Sequence, residues 1–201
     1  MRARLTLALL VLSVAGCATH SGKVRAFTDP SAQPGTIKAL AVFPIRNARL
    51  APGDAQEINR QVTSELTRLH PTVQIMGPSE VVRLLNEADL AAEWARFLED
   101  YSASGVPDSK RLQRVADALH VPVFLQGELV NVVQEDGIAF VRQGSARVTI
   151  RFSLLDATKG KTLWEATGDG LQTRSTTVGA APPLIDAIKL ALEKLVPSIP
   201  L

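Results

Sequence analysis

Few residues of this chain have both the type and the spacing that chemistry needs. Gly160-Lys161-Thr162 ends like a phosphate-binding loop, but such a loop requires glycine where Leu155 stands and a helix after the threonine. β-prone Leu163 and Trp164 follow instead, so the tripeptide reads as a hairpin turn. His20, His70 and His120 stand far apart, each without a second histidine or cysteine at metal-binding spacing. His20 falls in a polar lead-in. The other two fall at expected helix ends, where a cation complements the helix dipole. No serine sits in a G-x-S-x-G elbow. Glu128, Glu135, Asp136 and Asp156 fall on expected strands and turns, and solvated surface is the ordinary place for such carboxylates. We therefore assign no catalytic residue, no metal site and no cofactor, and the pattern disfavours an enzyme. One reactive group remains, the thiol of Cys17.

Its setting is specific. Met1-Arg-Ala-Arg4 is a basic start, Leu5 to Val14 is apolar, and Ala15 and Gly16 are small. The apolar run is too short to span a bilayer, so it reads as a secretory signal peptide. Leu12-Ser-Val14-Ala-Gly16-Cys17 resembles the lipobox of bacterial lipoproteins. The resemblance implies cleavage before Cys17, attachment of a diacylated lipid to that cysteine and an acylated new N-terminus. Ala18 stands where an aspartate would retain such a protein in the inner membrane, which implies the periplasmic side of the outer membrane. Several acyl chains, at about 0.8 kcal/mol per buried CH₂, would hold the chain stably. With one cysteine there is no internal disulfide, so the fold must rest on packing.

The expected segments are then a signal peptide over 1–16, a flexible tether rich in Ser, Thr, Gly and Pro over 17–35, one domain over 36–196, and a tail over 197–201. The chain carries 22 basic and 20 acidic residues, and loss of Arg2 and Arg4 with the signal peptide leaves the mature protein close to neutral. That balance offers no electrostatic case for nucleic acid.

The elements follow from periodicity. Ile37 to Ile45 is a continuous apolar run suited to a buried strand. Asp54 with Glu57 suggests a capping box, and Ala55, Ile58, Val62, Leu66 and Leu69 recur at helical spacing. A short strand over Thr72 to Met76 precedes a helix with Val81, Leu84, Leu85 and Ala88 inward. The next helix carries Leu90, Trp94, Phe97, Leu98 and Tyr101 on one stripe, read as core rather than as a binding face. Leu112, Val115, Ala116 and Leu119 mark another helix. Val121 to Val133 reads as a long strand, Asp136-Gly137 as a tight turn, Ile138 to Gln143 as the start of the return, and Gly144 as a bulge. Val148, Ile150, Phe152 and Leu154 then alternate strictly with Arg147, Thr149, Arg151 and Ser153, the mark of a half-buried strand. Thr162 to Thr167 pairs back in a C-terminal hairpin, and a last helix turns Leu184, Ile188, Leu192 and Leu195 inward.

Val123-Phe-Leu-Gln-Gly127-Glu-Leu129, followed by Val148 to Asp156, the Asp156-Ala-Thr-Lys-Gly160 turn and Leu163-Trp164, resembles a recurring pattern of periplasmic domains. They are those of the curli production assembly component, the lipoprotein activators of penicillin-binding proteins and the N-terminal domain of the Tol-system translocation protein. Lys38 to Pro44 and the Leu112 to Leu119 helix keep the same order. The resemblance implies an α/β domain of three α/β/α layers around a mixed, about five-stranded sheet. It also implies a non-enzymatic scaffold or activator. The curli channel adds long hairpins that form a barrel; here the one candidate insertion, Gln134 to Gln143, is too short for two membrane strands of about ten residues each.

The leading expectation is an outer-membrane-anchored lipoprotein that binds envelope proteins, with the Gln134 to Gln143 turn and the Gln172 to Ala181 segment as exposed candidates. A ring-forming transport component, and so a homo-oligomer, is the alternative. An enzyme acting on peptidoglycan or glycans is the third reading. Cys17→Ala is expected to release the protein from membranes on fractionation; unchanged membrane retention would refute lipid attachment.

Overall fold

Periodicity announces every helix and all strands but one. The structure, a computed structural model, describes residues 23–30, 32, 35–47, 49–139, 141–174 and 179–201. The expected signal peptide, Cys17 and His20 lie outside the described residues. In chain order the elements are β1 (Val24–Thr28), β2 (Ala39–Val42), α1 (Pro52–Leu69), β3 (Gln74–Met76), α2 (Pro78–Glu87), α3 (Ala91–Ser104), α4 (Ser109–Leu119), β4 (Val123–Glu135), β5 (Ser145–Asp156), β6 (Lys161–Thr173) and α5 (Leu184–Leu195), then a 3₁₀ turn at Val196–Ser198.

The strands form one six-stranded mixed sheet in the order β1-β6-β5-β4-β2-β3. β2 runs parallel to β3 and β4, whereas β4, β5, β6 and β1 pair antiparallel. Helices cover both faces, giving the three α/β/α layers. On one face Val148, Ile150, Phe152 and Leu154 pack with Ile58, Val62 and Leu66 of α1 and with Ile188, Leu192 and Leu195 of α5. On the other, Val81, Leu85, Leu112, Val115 and Leu119 pack over Ala41, Phe124 and Leu155. Trp94, Phe97 and Tyr101 belong to that second core. Phe43 stacks on Trp94 at 4.0 Å, Trp94 on Phe97 at 4.9 Å and Phe97 on Tyr101 at 5.7 Å. The aromatic stripe is interior packing.

Five local expectations change. The sheet has a sixth strand, because Val24–Thr28, within the stretch expected as tether, pairs with Trp164 to Gly168. Val-Arg-Ala-Phe-Thr is β-prone but short, and the open edge of β6 supplies the partner that its own pattern does not reveal. The expected tail is not loose, since Ile199 and Leu201 are buried in the α1–α5 core. Helix α1 starts at Pro52, two residues before the expected box. Proline suits a first helical position, and Glu57 pairs with Arg60 at 2.7 Å instead of capping. The tight turn at Asp136-Gly137 is replaced by a longer connection, in which Gly137 bridges Gly179 and Ile138 bridges Arg142. Register breaks fall between Leu129 and Asn131 and opposite Leu154–Leu155, rather than at Gly144. The second break turns both Leu163 and Trp164 into the same core.

Two glycines set the ends of this packing. Gly160, at φ +62°, closes the β5–β6 turn so tightly against α4 that a Cβ would stand 2.2 Å from the Ser109 Cβ. Gly170 lies beneath α5, where a Cβ would stand 1.9 Å from the Ala187 carbonyl oxygen. No side chain fits there without lifting the helix. Gly170→Ala is therefore expected to lower stability by about 3 kcal/mol through overpacking, read from the denaturant midpoint.

Candidate interaction surface

The second helical layer is smaller than the sheet. It shields β2, Phe124 and Gln126 in β4, and Ser153 and Leu155 in β5; farther along, the same face turns toward solvent. Pleat and register place three polar rows on it. One runs Gln126, Ser153, Glu165 and Phe27; the next Glu128, Arg151, Thr167 and Arg25; the third Asn131, Thr149 and Asp169. Arg46 extends the middle row, since its segment bridges Glu128 in parallel, with the Arg46 amide donating to the Gly127 carbonyl at 2.8 Å.

These side chains hold one another. Arg151 Nη2 donates to Glu128 Oε2, and Arg46 Nη1 stands 3.7 Å from Glu128 Oε1 while also donating to the Leu98 carbonyl at 3.4 Å. Burial alone would lower the Arg151 pKa, but the Glu128 hydrogen bond and charge outweigh it and raise the value. Ser153 Oγ donates to Glu165 Oε2 at 2.9 Å. The Tyr101 hydroxyl reaches from α3 to Thr162 Oγ1 at 3.0 Å and donates to Glu165 Oε2 at 3.5 Å. Thr149 Oγ1 donates to Asp169 Oδ1 at 2.7 Å. Beside them Lys23, Arg25 and Arg147, with Asp169, line a shallow hollow of about 360 Å³. A second, apolar groove of about 340 Å³ lies past the carboxyl end of β2, between α2 and α3, walled by Phe43, Val82, Leu85, Trp94 and Leu98.

The carboxylates singled out in the sequence are not brought together. Glu128 lies mid-face with its two arginines. Glu135 stands 3.3 Å from Arg142, and Asp136 accepts the Ala181 amide at 2.7 Å, both at one end of the sheet. Asp156, at the other end, accepts the amides of Thr158 and Lys159 at 3.0 Å each. Burial pushes the Asp156 pKa up, and its hydrogen bonds, led by the Thr158 hydroxyl, more than offset this and hold it below the ordinary value. His70 and His120 stand at the C-terminal ends of α1 and α4. Gly160-Lys161-Thr162 is a hairpin turn, with Lys161 Nζ 3.2 Å from Asp29 Oδ1. Among the described residues no three His, Cys, Asp or Glu gather to hold a metal, and no helix is long and apolar enough to cross a membrane. Arg46, Tyr101 and Glu165 escape a sequence reading because their partners come from other elements. The polar half of the β5 alternation is the signal that could have found the surface.

No family model matches the sequence, and no curated protein matches it. Solved structures do resemble the fold. A PelC dodecamer from Paraburkholderia phytofirmans superimposes with a TM-score of 0.51 at 19% identity, over 88% of this chain and 97% of that one. Lipoprotein GNA1162 from Neisseria meningitidis gives 0.50 at 14% identity, over 79% and 97%. The LpoB C-terminal domain from Salmonella enterica is looser, at 0.42 and 12% identity, over 70% and 85%. The first two likenesses establish a shared fold.

Glu128 is the joint of the surface. Glu128→Ala removes the carboxylate that engages both Arg46 and Arg151, leaving Arg151 only the more distant charge of Glu165, and should lower stability by about 1 kcal/mol. Combining it with Arg151→Ala should lower stability by less than the two single losses added, as measured in a double-mutant denaturation cycle.

Proposed function

We propose that this chain is an envelope lipoprotein, anchored through Cys17 at the periplasmic side of the outer membrane, whose domain binds other proteins rather than catalysing a reaction. The observation that carries the reading is the open half of the sheet. It is a broad polar face whose carboxylates at Glu128, Asp169 and Glu165 are each engaged by a cation or hydroxyl. Groups already held in pairs serve poorly as proton acceptors and well as a fixed pattern of charge for recognition. The lipobox-like approach to Cys17 supports the anchor, and the fold shared with lipoprotein GNA1162 agrees with it.

A second reading keeps the same face for copies of this chain. A protein of the same fold was solved as a dodecamer, which favours a homo-oligomer. A photo-crosslinking residue placed at Thr167 or Asn131 in cells separates the two. Adducts with envelope proteins from both positions, absent from a probe at Gln113 on the outer side of α4, are expected. Adducts with its own chain alone, matched by an oligomer in native mass spectrometry, would transfer the face to self-assembly. Equal labelling from Gln113 would remove it as a binding surface.

A further inference from the structure

Large apolar side chains are exposed unevenly. Among the described residues, Val130, Val133, Ile138 and Val141 fall within one stretch of β4 and the connection after it. Ile138 and Val141, 51% and 78% exposed, sit on a small loop closed by the Ile138 amide donating to Arg142 and the Arg142 amide to Ile138. The loop is braced rather than loose. Gly137 bridges Gly179 and Asp136 accepts the Ala181 amide, which fixes it to the segment leading into α5. A loop that is held in place while it presents isoleucine and valine to water implies an apolar counterpart.

The direction of the chain says which. β1 runs antiparallel to β6, with Val24 beside Gly168 and the Asp169 amide donating to the Lys23 carbonyl. The Lys23 end of β1 therefore points toward Thr173, which pairs with Ser145, itself opposite Glu135. That is the end that carries Ile138 and Val141. The four residues from Asp169 to Thr173 rise about 14 Å. The six residues from Lys23 back to Cys17 reach at most about 20 Å. That reach is long enough for a lipid on Cys17 to share a plane with the exposed loop. At this end cations outnumber carboxylates, with Lys23, Arg25 and Arg147 around the hollow, Arg142 beside Glu135 and Arg174 exposed beside Gly179, against Asp169, Glu135 and Asp136. Cations there complement anionic headgroups.

We propose that Ile138 and Val141 form a second membrane contact, dipping into the lipid leaflet that holds Cys17 and standing the domain upright on it. The proposal rests on the lipid anchor and adds an orientation to it: the β4–β5 connection faces the bilayer and the β5–β6 turn faces away.

The test uses the full lipidated protein in vesicles of phosphatidylethanolamine and phosphatidylglycerol. With Cys17 acylated, Val141→Cys supplies the one thiol for an environment-sensitive fluorophore. Val106→Cys is the control, since Val106 is 70% exposed near the opposite end, where Gly160 meets Ser109. The expected result is flotation of both proteins, with a blue shift and quenching by bilayer-embedded quenchers at position 141 and neither at 106. Flotation with an unshifted, unquenched label at 141 overturns the loop contact and leaves the anchor standing. A blue shift that follows protein concentration without bilayer quenching assigns the loop to a second copy and overturns the contact as well. Protein that fails to float overturns the anchor and the proposal together.

Discussion

The close seat of α5 on β6 governs the rest of the structure. Gly168 and Gly170 leave the strand without side chains where Leu195 and the Ala187 carbonyl press on it. The helix can then lie low enough for Ile188, Leu192 and Leu195 to meet Phe152 and Trp164. Apolar burial at roughly 25 cal/mol per Å² is the main force available to a chain without disulfides, and it is concentrated on this side. With α1 beside it, α5 covers one face of β5, β6 and the first half of β4. That face stabilises the sheet enough for the opposite one to stay partly bare.

A bare sheet face has its own requirements. Apolar residues across it would invite aggregation, and isolated charges would repel or wander. Here the face carries mainly arginine, glutamate, threonine and serine in rows, with Phe27 exposed on β1, and Glu128, Glu165 and Asp169 are each bound to a side chain of β5. Exposed pairs of this kind contribute at most about 1 kcal/mol each to stability. Their physical effect is orientation: Arg151 and Arg46 are aimed by Glu128, and Glu165 is aimed by Ser153 and Tyr101. The gap between the small stabilisation and the extent of the pairing makes a recognition surface the natural reading.

How much of this was legible in the sequence varied with the range of the interaction. Helix α4 and strand β5 were readable residue by residue, because Leu112, Val115, Ala116 and Leu119, and Val148 to Leu154, repeat with the period of their own backbone. β1 was not readable, because five residues carry too little pattern and its partner lies near the other end of the domain. Ile199 and Leu201 failed for a similar reason: two apolar residues among prolines show no period, yet both close the core. The long connection after β4 was misread as a tight turn, since Asp136-Gly137 has the right turn chemistry while its bridge to Gly179 cannot be seen locally. The polar surface was half visible, as the wet side of β5, but not Arg46 after β2 or the residues of α3 and β6 that complete it.

The pairing of β1 with β6 has a consequence for the order of events as the protein is made. The strand nearest the start of the fold has no partner until the strand beside it in the sheet has been synthesised, and α5 can settle only after that. An early fragment therefore holds unpaired edges and an uncovered apolar face, and cannot reach the final structure. Contacts so distant in sequence also form slowly. A chain built this way completes its fold only once its late segments have been made.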